Sequence, residues 1–141
     1  MKDQLILWPM LVQMLIPLWL YVRLAKGKKK AAAEGTVDEA RRSLYADAWP
    51  DNVIQLNNSI RNQFELPVLY YALVLTLYML GDVTLLAHVA AWLFPATRIV
   101  HAAIHTGNNF VPLRRSIFTL GCFIVIILLV LTAIRLLSWS T

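Results

Sequence analysis

Four apolar blocks set what this chain can fold into. They run over Gln4–Leu24, Val53–Leu80, Val83–His105 and Ser116–Trp139. Each is close to the ~20 residues that an α-helix needs to cross a bilayer. A spanning segment finds no water in the hydrocarbon core and must satisfy its backbone internally, so the blocks are predicted to be helices. Of 141 residues, 59% are hydrophobic and 15% charged, and the mean hydropathy is +0.61. That balance excludes an ordinary soluble domain. It predicts an all-α integral membrane protein, multi-pass and in contact with membrane lipid. The chain reads as a single domain over 1–141 with no internal repeat.

Prolines mark the spans: Pro9 and Pro17 in the first, Pro67 in the second, Pro95 in the third. Spanning helices take such prolines as kinks when neighbours satisfy the freed carbonyls. The first span is followed at once by Lys26, Lys28, Lys29 and Lys30. That basic cluster predicts a retained anchor rather than a cleaved leader. Cys122 is the one cysteine, so no intrachain disulfide can form. Its apolar neighbours predict an inert packing role.

The loops are unequal. The first, Ala25–Asn52, holds the lysines together with Arg41 and Arg42. The second is only Gly81-Asp82, and the third, Thr106–Arg115, ends in Arg114-Arg115. Loops one and three share a side and both are basic, so the positive-inside rule makes them cytoplasmic and puts both termini outside. The net charge of +5 then belongs to topology and anionic lipid, not to nucleic acid.

This orientation gathers the polar residues at one depth. Asn58, Arg61, Asn62 and Glu65 follow an i, i+3, i+4, i+7 spacing and are predicted to share a face of the second helix. Arg61 and Glu65 are placed to pair. Arg98, His101 and His105 share a face of the third helix, Arg23 ends the first, and Arg114 and Arg115 open the fourth. All lie in the cytoplasmic half, while the outer half is apolar apart from Thr84 and His88. Ionised side chains within spans face a cavity or a partner, so the pattern predicts a cationic pocket with one acid. Arginines bind carboxylates bidentately and Glu65 can receive an ammonium, which suits a small zwitterionic peptide such as glutathione. An arginine beside the thiol favours the thiolate. No metal is expected, because two histidines among arginines make a poor cation site.

At these residues the chain resembles the membrane-associated proteins in eicosanoid and glutathione metabolism, in a short bacterial-type form. Arg61-Asn62-Gln63-Phe64-Glu65 is similar to that family's Arg-Asn-x-x-Glu signature. Arg98-Ile-Val-His101, followed by Gly107, Pro112 and Arg114, resembles the pattern around its third loop, and Val22-Arg23-Leu24 also fits. The resemblance implies an up-down four-helix bundle assembling as a homotrimer in a bacterial inner membrane. It implies glutathione as co-substrate, held by Arg23, Arg61, Asn62, Glu65, Arg98, His101 and His105, with Arg114 as the catalytic residue that stabilises the thiolate. The implied activity is that of a microsomal-type glutathione S-transferase or peroxidase, in which glutathione or a similar anionic thiol meets a lipophilic electrophile. The alternative is a non-catalytic member: an accessory subunit of another membrane complex, or a binder of lipid or an anionic metabolite. His105 stands where many catalytic members have tyrosine, Arg115 where the prostaglandin-forming members have serine, Asn58 where a basic residue is usual, and Phe118 where an aromatic hydroxyl is common. These departures argue against prostaglandin synthesis.

Overall fold

The computed structural model describes residues 2–81 and 83–139; the acid expected at Asp82 of the second loop lies outside them. Among the described residues all regular structure is helical. A 3-10 turn, Asp3–Ile6, leads into α1, Leu7–Ala33. Then come α2, Asp51–Asn62, α3, Leu66–Leu80, α4, Leu85–Thr106, and α5, Val111–Trp139. Four helical stretches are long and apolar enough to cross a membrane: Asp3–Ala33, Asp51–Leu80, Leu85–Thr106 and Val111–Ser138. That is the make-up of a multi-pass integral membrane protein.

Three boundaries differ from the sequence expectation. The first helix runs past Leu24 to Ala33, because the alanines and lysines there are strong helix formers. It ends in a Schellman motif. Gly35 takes φ +65°, Gly35 N–H donates to Ala32 O at 3.2 Å, and Thr36 N–H donates to Ala31 O at 3.1 Å. The fourth span starts early, at Val111, so Arg114 and Arg115 are already helical. The second span is not one kinked helix but two, interrupted at Gln63-Phe64-Glu65. Pro67 supplies the cause: it lacks an N–H, and its ring collides with the carbonyl four residues earlier, at Gln63.

Packing centres on α4, which contacts α1, α2 and α5. One core cluster joins Tyr70, Val74 and Leu77 of α3 to Ala87, Ala90, Ala91 and Phe94 of α4 and to Ile124, Val125 and Leu128 of α5. A second joins Ile16, Leu20 and Leu24 of α1 to Val53, Leu56 and Ile60 of α2 and Ala102 of α4. The alanines on α4 let neighbouring backbones approach, which matters in lipid, where apolar burial alone does not drive helices together. Tyr70 adds specificity: its ring stacks on Phe94 at 4.3 Å and its hydroxyl donates to Ala91 O at 3.0 Å.

The helices alternate in direction. At one end, Val83 N–H donates to Asp3 Oδ1 at 3.0 Å and Arg135 Nε donates to Gly81 O at 3.3 Å. The start of α1, the α3–α4 turn and the end of α5 therefore meet. At the other end, Arg23 of α1 reaches Thr106 at the end of α4. The first loop folds beside this second end as a small charged cap. Arg41 pairs with Asp47 at 2.8 Å and Arg42 with Glu39 at 2.9 Å, and the Lys28 ammonium sits 4.9 Å over Trp49.

Candidate functional site

The interruption between α2 and α3 builds the site. A broken helix leaves carbonyls without intrahelical donors. Arg98 answers one of them, its Nη2 donating to Asn62 O at 3.1 Å. A cation at the C-terminal end of α2 also complements the helix dipole. Asn62 Nδ2 donates to Asn58 O at 3.0 Å. Gln63, on the break itself, turns inward and accepts a 3.0 Å bond from Gln13 Nε2 of α1.

Arg98 is 1% exposed, and its Nε and Nη1 have no protein acceptor. Its charged carbon lies 5.5 Å from the Phe118 ring, a weak substitute for an acceptor. Beside it is His101, 3% exposed, with neither ring nitrogen hydrogen-bonded. His105 is 5% exposed and its Nδ1 is unpaired. The two imidazoles meet edge to face at 5.7 Å. Arg114 Nη1 donates to Asn109 Oδ1, and Asn109 takes a left-handed φ of 51° that asparagine tolerates. Asn62, His101, Val111, Arg114, Arg115 and Phe118 line a pocket of about 270 Å³.

Asn62, Arg98, His101, His105 and Arg114 are thus brought to one end of α2, α4 and α5. Arg61 and Glu65 are not in that pocket; both are exposed. The interruption takes Glu65 out of helical register with Arg61, and among the described residues no ion pair joins them. Their expected pairing is corrected for that reason. Asn58 is exposed as well, while Val53, Leu56, Ser59 and Ile60 form the inward side of α2. Arg23 stands on the α1–α4 side. Its Nη1 donates to Thr106 Oγ1 at 2.7 Å and its guanidinium lies 4.8 Å over Trp19.

Sequence reasoning missed Gln13 and Gln63, both fully buried. The signal for Gln13 is its isolation as a polar residue between Pro9 and Pro17, since a lone amide within a span usually bonds another helix. Two partners carry no sequence signature: Thr106, 83 residues from Arg23, and Asn109, five residues before Arg114. In the apolar half, His88 is buried and its Nδ1 donates to Thr84 O at 3.1 Å. Cys122 is a free thiol, partly buried.

A protein-family model for the MAPEG family matches residues 6–134. The chain belongs to the MAPEG family. The match takes in Arg23, the interruption between α2 and α3, the Arg98–His105 face and Arg114. No curated protein and no solved structure matches the chain.

Within this MAPEG protein the arrangement has a clear chemical bias. No carboxylate lines the pocket, two of its six lining residues are the arginines Arg114 and Arg115, and donors of Arg98 without an acceptor lie nearby. Such a site attracts anions. Arg98 keeps one bond, to Asn62 O, and leaves Nε and Nη1 without an acceptor, so an anionic ligand that reached them would meet donors the protein leaves unmet.

Proposed function

We propose that this MAPEG protein is a glutathione-dependent transferase or peroxidase acting on lipophilic electrophiles. The observation that carries the reading is the buried, incompletely bonded Arg98 beside Arg114 and His101. Arg98 and His101, with Asn62, would take the peptide's carboxylate and amide groups. Arg114 would hold the sulfur as thiolate, because a neighbouring cation stabilises the charged form of an acid. In transfer, the thiolate forms a C–S bond with an electrophilic carbon, whose leaving group or ring oxygen departs with the electron pair. In reduction, the thiolate attacks a peroxide oxygen. The alkoxide leaves and is protonated, and the thiol of a second glutathione attacks the resulting sulfenic acid, forming the disulfide as the S–O bond breaks and water leaves.

The pocket in one chain, about 270 Å³, sits just below the ~300 Å³ at which small-molecule sites begin. Arg61 and Glu65 lie outside it on an exposed face. A polar face of this kind in a membrane calls for a cover, and a second copy supplies one. We therefore extend the reading to a homotrimer in which Arg61 and Glu65 complete the site against a neighbour, with Glu65 receiving the ammonium. Loops one and three would face the cytoplasm.

A second, non-catalytic reading draws on one observation: Arg23 and Arg98 already hold bonds to Thr106 and Asn62, as helix-linking side chains would. A melting experiment separates the two. Glutathione at 100 times its dissociation constant should stabilise the detergent-solubilised protein by about 2.7 kcal/mol. Arg61→Ala and Glu65→Ala should lose that shift while remaining oligomeric. Variants that fail to assemble at all would move these residues from ligand binding to structure.

A further inference from the structure

The two arginines that open α5 are held in different ways. Val111, Arg114, Arg115 and Phe118 all line the α5 pocket, an i, i+3, i+4, i+7 set that shares one face of the helix. Arg114 is half-buried, and its Nη1 donates to Asn109 Oδ1. Arg115 is exposed, and among the described residues no hydrogen bond or ion pair restrains it. No carboxylate lines the pocket to neutralise either. One arginine is therefore fixed in place, and its neighbour is free to follow a charge.

Successive residues of a helix leave it about 100° apart, so the two side chains reach the same pocket from different directions. A thiolate held by Arg114 carries one negative charge and matches one cation. Arg115 is then unmatched before the reaction begins. The chemistry changes that balance. As sulfur attacks in line, negative charge leaves the sulfur and arrives on the departing atom, on the opposite side of the reacting centre. A donor ready at that place binds the transition state more strongly than the ground state. Oxygen leaving a hydroperoxide or an epoxide makes the largest demand, because an alkoxide is a strong base with its charge on one atom. Val111 and Phe118 give the same face an apolar wall for the rest of a lipophilic molecule.

We propose that Arg115 is a second catalytic residue, which holds the departing oxygen of a lipophilic hydroperoxide or epoxide while the thiolate on Arg114 attacks. This rests on the glutathione reading and narrows its substrate class to electrophiles that release an oxyanion. With a hydroperoxide, the S–O bond forms to the terminal oxygen, the O–O bond breaks, and the electron pair goes to the alkoxide. With an epoxide, the S–C bond forms, the C–O bond breaks, and the pair stays on the ring oxygen. In both cases Arg115 donates hydrogen bonds to the alkoxide. Water supplies the proton, because a guanidinium is not deprotonated in proteins.

The test uses the solubilised full chain, glutathione and two electrophiles. Cumene hydroperoxide releases an alkoxide, and benzyl chloride releases the weakly basic chloride. Arg115→Met should lower kcat with cumene hydroperoxide about a hundredfold, the usual cost of losing one oxyanion donor. It should lower kcat with benzyl chloride far less, so that the ratio of the two falls by at least about tenfold. The thiolate absorbance should persist, since Arg114 holds the sulfur. Arg115→Lys keeps a cationic donor and should recover most of the hydroperoxide rate, and the melting temperature of each variant checks that it is folded. Equal losses with the two electrophiles, an unchanged hydroperoxide rate, or a lysine variant no better than methionine would overturn the assignment. So would loss of the thiolate signal in Arg115→Met, which would place Arg115 on the sulfur beside Arg114. A wild-type protein that forms no thiolate and turns over neither electrophile would overturn the glutathione reading itself, and the role of Arg115 with it.

Discussion

Replacing Arg98 with methionine separates a ligand-binding arginine from a structural one. Methionine has similar length and no charge. The substitution removes one bond, from Nη2 to Asn62 O at 3.1 Å, worth about 1.5–3 kcal/mol as a hydrogen bond to a charged group. It also removes two buried nitrogens with no acceptor, Nε and Nη1, each costing about 1–3 kcal/mol. The two effects oppose each other, and the second is as large or larger. We predict that the unliganded Arg98→Met protein melts at or slightly above the wild-type temperature, because an apolar side chain in place of an incompletely paired buried charge is often neutral or stabilising. The liganded protein should behave in the opposite way. Saturating glutathione should stabilise the wild type by about 2.7 kcal/mol at 100 times its dissociation constant, and the variant should lose most of that gain. The assay is tryptophan-fluorescence melting in detergent, with and without glutathione. A variant that melts several degrees lower yet keeps the full glutathione shift would refute the reasoning, and Arg98 would then be a cap for α2 and nothing more.

Other perturbations have equally definite outcomes. Gln13→Leu should lower stability by about 1–3 kcal/mol, because it strands Gln63 in a buried site; adding Gln63→Leu should recover part of the loss in the same melts. Gly107→Ala should destabilise by about 1–3 kcal/mol as an overpacked position, since its Cβ would lie 2.8 Å from the Ala103 carbonyl oxygen. The turn it distorts leads to Asn109 and Arg114, so the glutathione-induced melting shift should shrink as well. Tyr70→Phe should cost about 1 kcal/mol, the net worth of one hydrogen bond, and leave that shift unchanged, because Tyr70 donates to Ala91 in the apolar core. An unchanged melting temperature in Tyr70→Phe would mean that the bond to Ala91 adds no net stability.

The spans were legible because length and hydropathy decide them before packing does. All four appear, and successive spans of one bundle run antiparallel. The shared face of Arg98, His101 and His105 was legible for a similar reason, since spacing on an uninterrupted helix maps directly onto a face. The Arg61–Glu65 pair was not. It assumed an unbroken second helix, and Pro67 ends that continuity just where the spacing rule was applied. The direction of Gln63 was equally hidden, because only the interruption turns it towards Gln13. Arg23 shows another limit. Nothing in the sequence pairs it with Thr106, because that contact depends on how α1 packs against α4.

The most direct test of the central claim is ultraviolet difference absorbance in the thiolate band as glutathione is added to the purified protein. A saturable thiolate signal at neutral pH, lost in Arg114→Ala while glutathione still raises the melting temperature, is the predicted result. A folded, oligomeric protein that binds glutathione with no thiolate signal would contradict it, and would leave this MAPEG protein a binder rather than an enzyme.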